Sequence, residues 1–301
     1  IEVRKFRIPF VPTSLGSEAH DITFNADGSR AYFAALSQTL VVNTENPADP
    51  KVVSQIVDPT IQVVHGSDPV TLTRADGTKR TLVIISDERA GAAAAAECPG
   101  GGLHVYDVTD EAKPTKVGAW FIDDIEPVAD SALPACTAHV MRIHEDQQLL
   151  TVAWYMKGVR VLDIAGLADV KGSPAAVAYG DGVGMKEVGS FVFPDSDTWS
   201  FKTNKISADG SFYGYGNDMS RGLDVYRFGG LDRTVPALEP VDLAPAAKAV
   251  KAKGKGKPFA AAVPFLPSGG GPAGLALLAL LGVGVLGANV ALVRRARAAV
   301  A

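Results

Sequence analysis

Three histidines occupy matching places in three similar segments of the sequence. His20, His65 and His139 each stand just before or within an apolar run that has the alternation of a β-strand. Neutral imidazoles that converge on one point are good ligands for Zn, Cu or Fe. Asp21 and Asp68 stand beside two of them and could add a carboxylate. We therefore predict a transition-metal site formed by these five residues. The alternative is that each imidazole hydrogen-bonds the backbone of the neighbouring repeat and stabilises the packing between repeats.

The two cysteines of the chain stand in loop-like sequence. Cys98 lies in AAECPGG and Cys136 in LPACTAH. In an exported protein, two cysteines at loop positions predict one disulfide bond. Two buried free thiols are the alternative.

Other kinds of chemistry have little support in the sequence. It contains no G-x-S-x-G nucleophile elbow and no P-loop. The glycine-rich stretch 180–184 (GDGVG) is not followed by a helix pattern, so we predict a loop there. His104 and His144 lie outside the repeated pattern and are interpreted as ordinary strand or turn residues.

Charge divides the chain into two parts. The whole sequence has 29 Lys and Arg against 33 Asp and Glu, a net charge of −4. Eight of the basic residues and none of the acidic ones follow residue 243, which leaves the first part with 21 basic and 33 acidic residues, a net charge of −12. Such a surface repels a phosphate backbone, so nucleic acid is excluded as a partner, and cationic or carbohydrate partners are favoured.

Repeated strand patterns predict the fold of residues 1–243. Each repeat has an inner strand, a turn and a second strand, a third strand, and a fourth strand after a Pro-marked turn. The third strand is the clearest, in stretches 39–43, 102–107, 158–163 and 222–227. Four short antiparallel strands at a period of about 50 to 70 residues are typical of propeller blades. The prediction is an all-β protein, a β-propeller with about four visible blades. A β-sandwich is the second choice.

The start of the sequence suggests that further blades belong to this propeller. Residues 3–9 resemble a fourth strand without the rest of its blade, and such a strand could also complete the last blade. Because four blades is the lower limit for propellers and no signal peptide precedes Ile1, we interpret the chain as part of a larger propeller.

The end of the sequence predicts a membrane anchor. Residues 244–272 form a low-complexity linker with a Pro/Gly motif, 273–293 are apolar over about 30 Å of helix, and 294–301 are basic. By the positive-inside rule, the basic tail is cytoplasmic and the propeller extracellular. The protein is thus predicted to be single-pass at the cell membrane, with processing and attachment to the wall as an alternative to an uncleaved anchor.

The repeats resemble those of the LVIVD-repeat β-propellers, which are uncharacterised secreted or surface proteins of actinobacteria. The resemblance covers about residues 3–230 and is carried by stretches 98–107, 136–139 and 221–226. It implies a propeller fold and an extracellular location, and no settled activity. The fourth copy departs from the pattern, since Trp199 stands near the place of the histidine and Arg227 replaces the strand-ending Asp.

Two functions follow from these observations. The first is a non-catalytic binding or adhesion scaffold, held at the envelope by the C-terminal helix, with a wall polymer or a protein as its partner. The second is a metal-dependent surface oxidoreductase that uses the repeated histidines.

Overall fold

A computed structural model describes residues 6–11, 18–89, 98–126 and 135–231. The chain divides into two compact units, Ile1–Ala237 and Leu238–Ala301, and every described residue belongs to the first. The predicted linker, membrane helix and basic tail lie outside the described residues. In the part that is described, no helix is both long and apolar enough to cross a membrane.

The described chain is all-β, apart from short 3₁₀ turns at Glu145–Gln147 and Ala165–Ala168. The strands are β1 (Asp21–Phe24), β2 (Arg30–Ala34), β3 (Thr39–Asn43), β4 (Lys51–Ile56), β5 (Val64–Thr73), β6 (Lys79–Asp87), β7 (Leu103–Asp107), β8 (Thr115–Phe121), β9 (Met141–His144), β10 (Leu149–Ala153), β11 (Val159–Asp163), β12 (Val177–Tyr179), β13 (Asp181–Gly182), β14 (Met185–Phe191), β15 (Thr198–Lys202), β16 (Phe212–Asp218) and β17 (Gly222–Phe228).

These strands form four successive antiparallel units that have the topology of propeller blades. Blade 1 is β1 to β4, blade 2 is β5 to β8, blade 3 is β9, β10, β11 and β14, and blade 4 is β15 to β17. Within each blade, consecutive strands pair antiparallel from the inner strand outward. The all-β prediction and the blade assignment from the repeats are confirmed at this level.

Blades 2 and 3 are joined into one ten-stranded sheet by β12 and β13. Strand β12 pairs parallel with β8, and β13 pairs antiparallel with β14. The glycine-rich stretch 180–184, predicted to be a loop, therefore contributes to this junction through Asp181–Gly182. Its short polar sequence lacks the apolar alternation by which strands are recognised.

Alternation along the central strands places three apolar cores between the four blades. Along β6, Leu82 and Ile84 enter the core shared with blade 3, whereas Val83 and Ile85 enter the core shared with blade 1. The third core, between blades 3 and 4, contains Phe201. Successive side chains of a strand point to opposite faces, so a blade buried on both sides must be apolar at every position.

The turns explain two of the repeated sequence signals. At Gly28, Gly77 and Gly210 the backbone has a φ between 72° and 85°, and each preceding Asp accepts a hydrogen bond from the backbone N–H two residues later at 2.9 Å. The Asn or Asp that ends β3, β7 and β11 makes the same local bond. These polar residues therefore stabilise turns.

The segment before blade 1 lies on the face of that blade opposite blade 2. Phe6 and Ile8 pack with Phe33 against the cluster that includes Leu40, and Gln38 Nε2 donates to the Pro9 carbonyl at 2.6 Å. The described part of the predicted orphan strand 3–9 is thus packed on blade 1. Among the described residues, the sheet of blade 4 has three strands.

Gly158, in the turn between β10 and β11, is expected to tolerate no side chain. Its φ is +67°, and a Cβ would lie 2.1 Å from the Phe191 carbonyl oxygen. We expect Gly158→Ala to lower the free energy of unfolding by about 3 kcal/mol, because a left-handed backbone and a steric clash add together.

Gly28→Ala is the matched control for this prediction. It has a similar φ of +72°, and none of the described atoms outside its immediate neighbours would lie within 4 Å of the new Cβ. Its expected cost is about 1–2 kcal/mol. Equal shifts of the urea midpoint for the two variants would show that the close approach at Gly158 does not matter.

Candidate functional site

The inner strands of the four blades start with equivalent residues. The His20 N–H donates to Ala34 O at 2.8 Å, and the His139 N–H donates in the same way to Ala153 O at 2.9 Å. His65 lies within the bulge at the start of β5, and Trp199 is the second residue of β15. The sequence alignment of the three histidines, with Trp199 in the fourth place, therefore corresponds to a shared position in the blades.

These four side chains form one stack across the blades. The ring centroids of His20 and His65 are 4.4 Å apart, those of His65 and His139 are 4.1 Å apart, and those of His139 and Trp199 are 4.3 Å apart. His65 and His139 are buried, whereas His20 is exposed. The stack therefore has exposed side chains at both ends, His20 and Trp199, and two buried imidazoles between them.

A second repeated position adds Glu88 and Tyr155 to the histidines. The position follows the second strand of each blade. In blades 1, 2 and 3, the residue just before it donates its backbone N–H to the carbonyl of the residue that directly precedes the third strand. These bonds join Ala35 to Gln38, Asp87 to Gly102, and Trp154 to Gly158. The residues that follow, Leu36, Glu88 and Tyr155, are thus equivalent. Leu36 and Tyr155 both have a left-handed backbone, with φ of 51° and 43°.

Glu88 is the central acidic group of the site, and the sequence patterns did not predict it. Its Oε2 lies 3.8 Å from His65 Nε2, and its Oε1 lies 3.5 Å from His139 Nε2. The Tyr155 hydroxyl donates to Oε1 at 2.5 Å. Ligand atoms of His20, His65 and Glu88 all lie within 4.8 Å of one another. One available signal was the polar pair Asp87-Glu88 directly after an apolar strand.

Hydrogen bonds to carbonyl oxygens determine the tautomers of two histidines. Nδ1 of His20 lies 3.0 Å from the His65 carbonyl oxygen, and Nδ1 of His139 lies 2.6 Å from the Trp199 carbonyl oxygen. Because a carbonyl oxygen only accepts, each Nδ1 must carry the proton. The lone pair of each neutral ring is therefore on Nε2, the arrangement that metal-ligating histidines commonly have.

Burial keeps the inner imidazoles neutral. It lowers the pKa of His65 to about 2, with smaller contributions from His139 and His20. Burial also lowers the pKa of His139, against an opposing effect of the Glu88 carboxylate. At neutral pH both rings thus offer a lone pair without first releasing a proton.

The two predicted aspartates lie outside the group of His20, His65 and Glu88. Asp68 Oδ1 accepts a hydrogen bond from the Thr23 hydroxyl at 2.7 Å, and Asp21 Oδ1 accepts one from the N–H of Ile22 at 2.8 Å. Their predicted role as ligands stays a prediction, and the carboxylate that the fold places among the imidazoles is that of Glu88.

Asp68 gives a prediction about pH. Burial raises its pKa from 3.8 to about 6, although the Thr23 bond and the charges of Arg142 and Lys202 oppose the rise. The folded state then binds this proton more tightly than the unfolded state, so the stability contributed by Asp68 falls as pH rises from about 4 to 6.

We expect Asp68→Asn to match the wild-type protein at pH 4 and to be more stable by about 1–3 kcal/mol at pH 8. Urea unfolding at the two pH values measures this difference. Asp76→Asn serves as control, because hydrogen bonds from Thr78 lower rather than raise the pKa of exposed Asp76. A gain for Asp68→Asn that is independent of pH would contradict the assignment.

The predicted disulfide is confirmed, and it lies next to the site. Cys98 and Cys136 are bonded, with Cα atoms 5.2 Å apart. The bond joins the chain between β6 and β7 to the chain that leads to His139. The Thr137 hydroxyl, one residue further on, donates to the backbone carbonyl of Asp87 at 2.9 Å. Both connections hold Glu88 and His139 on neighbouring segments.

A third buried histidine, His104, lies near the site, at a position interpreted from the sequence as an ordinary strand residue. His104 lies between two carboxylates, with Nδ1 3.8 Å from Asp58 Oδ2 and Nε2 3.9 Å from Asp87 Oδ2. Burial lowers the pKa of His104 to about 4. Asp58 is also paired with Lys116 Nζ at 2.6 Å, so its charge is already compensated.

The opposite ends of the inner strands surround a polar cavity of about 740 Å³. Its lining includes Asn25 after β1, Thr71 of β5, Glu145 after β9 and Asn204 after β15. The histidine stack and this cavity therefore lie at the two ends of the same set of strands.

Comparisons with known proteins identify no family. No protein-family model matches the chain, and no curated protein matches it. The LVIVD resemblance therefore stays a prediction.

Solved structures with β-propeller-like folds show a distant likeness. A dihydro-heme d1 dehydrogenase in complex with DHE is 16% identical, with 73% of this chain and 36% of that chain covered and a TM-score of 0.35. A periplasmic gluconolactonase from Pseudomonas aeruginosa is 13% identical, covering 69% and 56%, with a TM-score of 0.32. The PQQ domain of a pyranose dehydrogenase from Coprinopsis cinerea is 12% identical, covering 71% and 51%, with a TM-score of 0.37.

The chain spans between about a third and somewhat over half the length of these three structures. At such identities and TM-scores, no ligand or activity is transferred from them to this chain.

Proposed function

We propose that this protein is a metalloprotein in which a transition-metal ion lies between the inner strands of the propeller. His20, His65, His139 and Glu88 would hold the ion. The observation that carries the proposal is the environment of His139 Nε2. This atom forms no hydrogen bond with any of the described residues, although the side chain is only 1% exposed and a carboxylate oxygen lies 3.5 Å away.

A bound cation accounts for this arrangement. Nδ1 of His139 carries the ring proton, so its Nε2 lone pair faces the lone pairs of Glu88 Oε1. Two such acceptors face each other favourably only when a proton or a cation lies between or beside them. Nε2 of His65 lies 3.8 Å from the other oxygen of Glu88, and ligand atoms of His20, His65 and Glu88 lie within 4.8 Å of one another, which favours a metal ion that several donors share.

The donor types indicate which ions would bind. Three imidazoles and one carboxylate suit Zn, Cu or Fe, whereas Ca²⁺ and Mg²⁺ prefer oxygen ligands. Metal–nitrogen distances are about 2.0–2.1 Å, so two donors of one ion lie up to about 4.2 Å apart. The ligand atoms of His20, His65 and Glu88 lie within 4.8 Å of one another, so side-chain rotations would bring them to these distances. His139 lies outside this group and would have to approach it to join the ligand set.

This site favours metal-dependent chemistry over a purely adhesive role. Of the two functions inferred from the sequence, we therefore propose the surface oxidoreductase. The proposed setting is the one expected from the sequence, with an extracellular LVIVD-type propeller held at the cell membrane by residues 273–293.

Elemental analysis of the purified protein tests the metal. The full chain is produced without a polyhistidine tag or chelators and is compared with His139→Ala and with His144→Ala. His144 is the control, since it lies at the far end of β9 and its Nε2 contacts the Thr151 hydroxyl. We expect near-stoichiometric Zn, Cu or Fe in the wild type and in His144→Ala, and a loss of metal in His139→Ala. A folded wild-type protein without metal, even after incubation with each ion, would overturn the proposal and leave the scaffold function.

Tyr155 is expected to act on the metal through Glu88. Its hydroxyl binds Oε1 and so orients the carboxylate. Loss of a residue that hydrogen-bonds a metal ligand typically lowers metal affinity 10- to 100-fold. We expect a decrease of about tenfold for Tyr155→Phe in a chelator-competition titration. Tyr215→Phe, at an exposed position, is the control. An unchanged affinity for Tyr155→Phe would show that Glu88 is held in place without it.

A further inference from the structure

The polar cavity at the far ends of the inner strands is bounded by all four blades. Blade 1 contributes Arg30 and Tyr32, blade 2 contributes Thr71, blade 3 contributes Glu145 and blade 4 contributes Asn204. Its volume of about 740 Å³ lies within the range of roughly 300–1,000 Å³ that is typical of sites for small ligands. The cavity is thus large enough for a ligand, and it lies at the other end of the strands from the histidine stack.

Hydrogen bonds between blades fix the wall of this cavity. Arg30 Nε of blade 1 donates to Glu111 Oε1 and Oε2 of blade 2, at 2.8 Å and 2.9 Å. The Thr71 N–H of blade 2 donates to Glu145 Oε2 of blade 3 at 2.8 Å. Because these bonds involve charged groups, they hold the lining in place before a ligand arrives, which lowers the entropic cost of binding.

One hydroxyl in the wall has no partner in the described protein. Tyr32 is 1% exposed, and its ring belongs to the core between blades 1 and 2. Tyr32 also lines the cavity, and its hydroxyl forms no hydrogen bond with any of the described residues. Burial raises the pKa of this phenol to about 12, so it stays protonated and can both donate and accept. Buried polar groups are almost always hydrogen-bonded, so this hydroxyl is available to a polar group in the cavity.

The charges of the lining favour an uncharged ligand. Among the described residues that line the cavity, cationic and anionic side chains nearly balance, with Arg30, Arg142 and Lys205 against Asp27, Glu111, Glu145 and Asp146. Residues 1–243 as a whole carry a net charge of −12. The cavity therefore differs from the rest of this part of the chain, and it attracts neither anions nor cations strongly.

We propose that this cavity binds a neutral oligosaccharide. The Tyr32 hydroxyl and the Asn204 carboxamide supply hydrogen bonds to sugar hydroxyls, which both donate and accept. The side chain of Phe24, which lines the cavity and is 50% exposed, offers an aromatic face for the C–H groups of a sugar ring. The inference does not depend on the proposed metal site, because the two sites lie at opposite ends of the inner strands.

Calorimetric titration of the full chain with neutral trisaccharides tests the proposal. The probes are maltotriose, cellotriose and tri-N-acetylglucosamine at millimolar concentrations. We expect at least one of them to bind the wild type, and Tyr32→Phe to bind it about tenfold more weakly, which is the effect of one lost hydrogen bond. Since the Tyr32 hydroxyl has no partner among the described residues, Tyr32→Phe should keep the urea midpoint and the metal content of the wild type.

Tyr213→Phe is the matched control, because it removes a hydroxyl from an exposed tyrosine of blade 4 that is not part of the cavity lining. It should leave sugar binding unchanged. A folded wild type that binds none of the three trisaccharides would refute the inference and leave the metal proposal standing. Equal affinity of Tyr32→Phe and the wild type would place the sugar elsewhere. Tighter binding of a glucosamine trimer or a galacturonic acid trimer would show that the cavity selects charged ligands.

Discussion

Replacing Glu88 with glutamine is expected to lower the affinity for Zn²⁺ or Cu²⁺ by at least about a hundredfold. The substitution keeps the size of the side chain and an oxygen that can accept from the Tyr155 hydroxyl, so the fold is retained. It removes the negative charge on which His65 and His139 converge. Removing an outer partner of a metal ligand already costs 10- to 100-fold, and loss of a charged ligand costs more.

Chelator-competition titration of the full chain measures the effect of Glu88→Gln. Glu45→Gln is the matched control, since Glu45 is an exposed carboxylate paired with Arg30 at 3.0 Å and belongs to blade 1 alone. Metal affinity in Glu88→Gln equal to that of the wild type would mean that the histidines bind without this carboxylate, and the site as proposed here would be wrong.

Loss of the Cys98–Cys136 disulfide is expected to lower both stability and metal affinity. The bond spans a sequence separation of 38 residues. For a loop of that length, the chain-entropy account gives a stabilisation of about 4 kcal/mol. The same bond connects the segment that follows Glu88 to the segment that precedes His139, so without it the two ligands lose part of their fixed relative position.

The double variant Cys98→Ala with Cys136→Ala tests both effects. We expect a decrease of about 2–5 kcal/mol in the free energy of unfolding from urea denaturation, and a weaker metal affinity under conditions in which the variant is still folded. A reducing agent should lower the urea midpoint of the wild type and leave that of the variant unchanged. If the variant keeps the wild-type metal affinity, the disulfide stabilises the blades without positioning the site.

Local patterns in the sequence were sufficient for the blades and for part of the site. Apolar alternation predicts the strands, and the Asp-Gly pairs before Ser29 and Thr78 predict turns, because both depend on residues that are neighbours in the chain. The equivalence of His20, His65 and His139 could also be read from the repeats, because each histidine stands at the start of an inner strand and similar sequence surrounds it. The two cysteines could be paired because the chain has no others.

Tertiary structure decided which other groups join these histidines. Glu88 and Tyr155 share a position that is defined by hairpin hydrogen bonds, and their side chains are chemically unlike each other and unlike Leu36, so no sequence repeat marks them. The proton positions on His20 and His139 depend on carbonyl groups 45 and 60 residues away.

The junction through β12 and β13 could not be predicted from local sequence patterns either. Strand β12 pairs with β8, which joins Val177 to Ala119 across two blades. What lay within one strand or turn of the chain was determined by the sequence itself. The tertiary structure decided the contacts between separate blades. Such contacts join residues that are far apart in the chain, and the local sequence around one residue does not identify its distant partner.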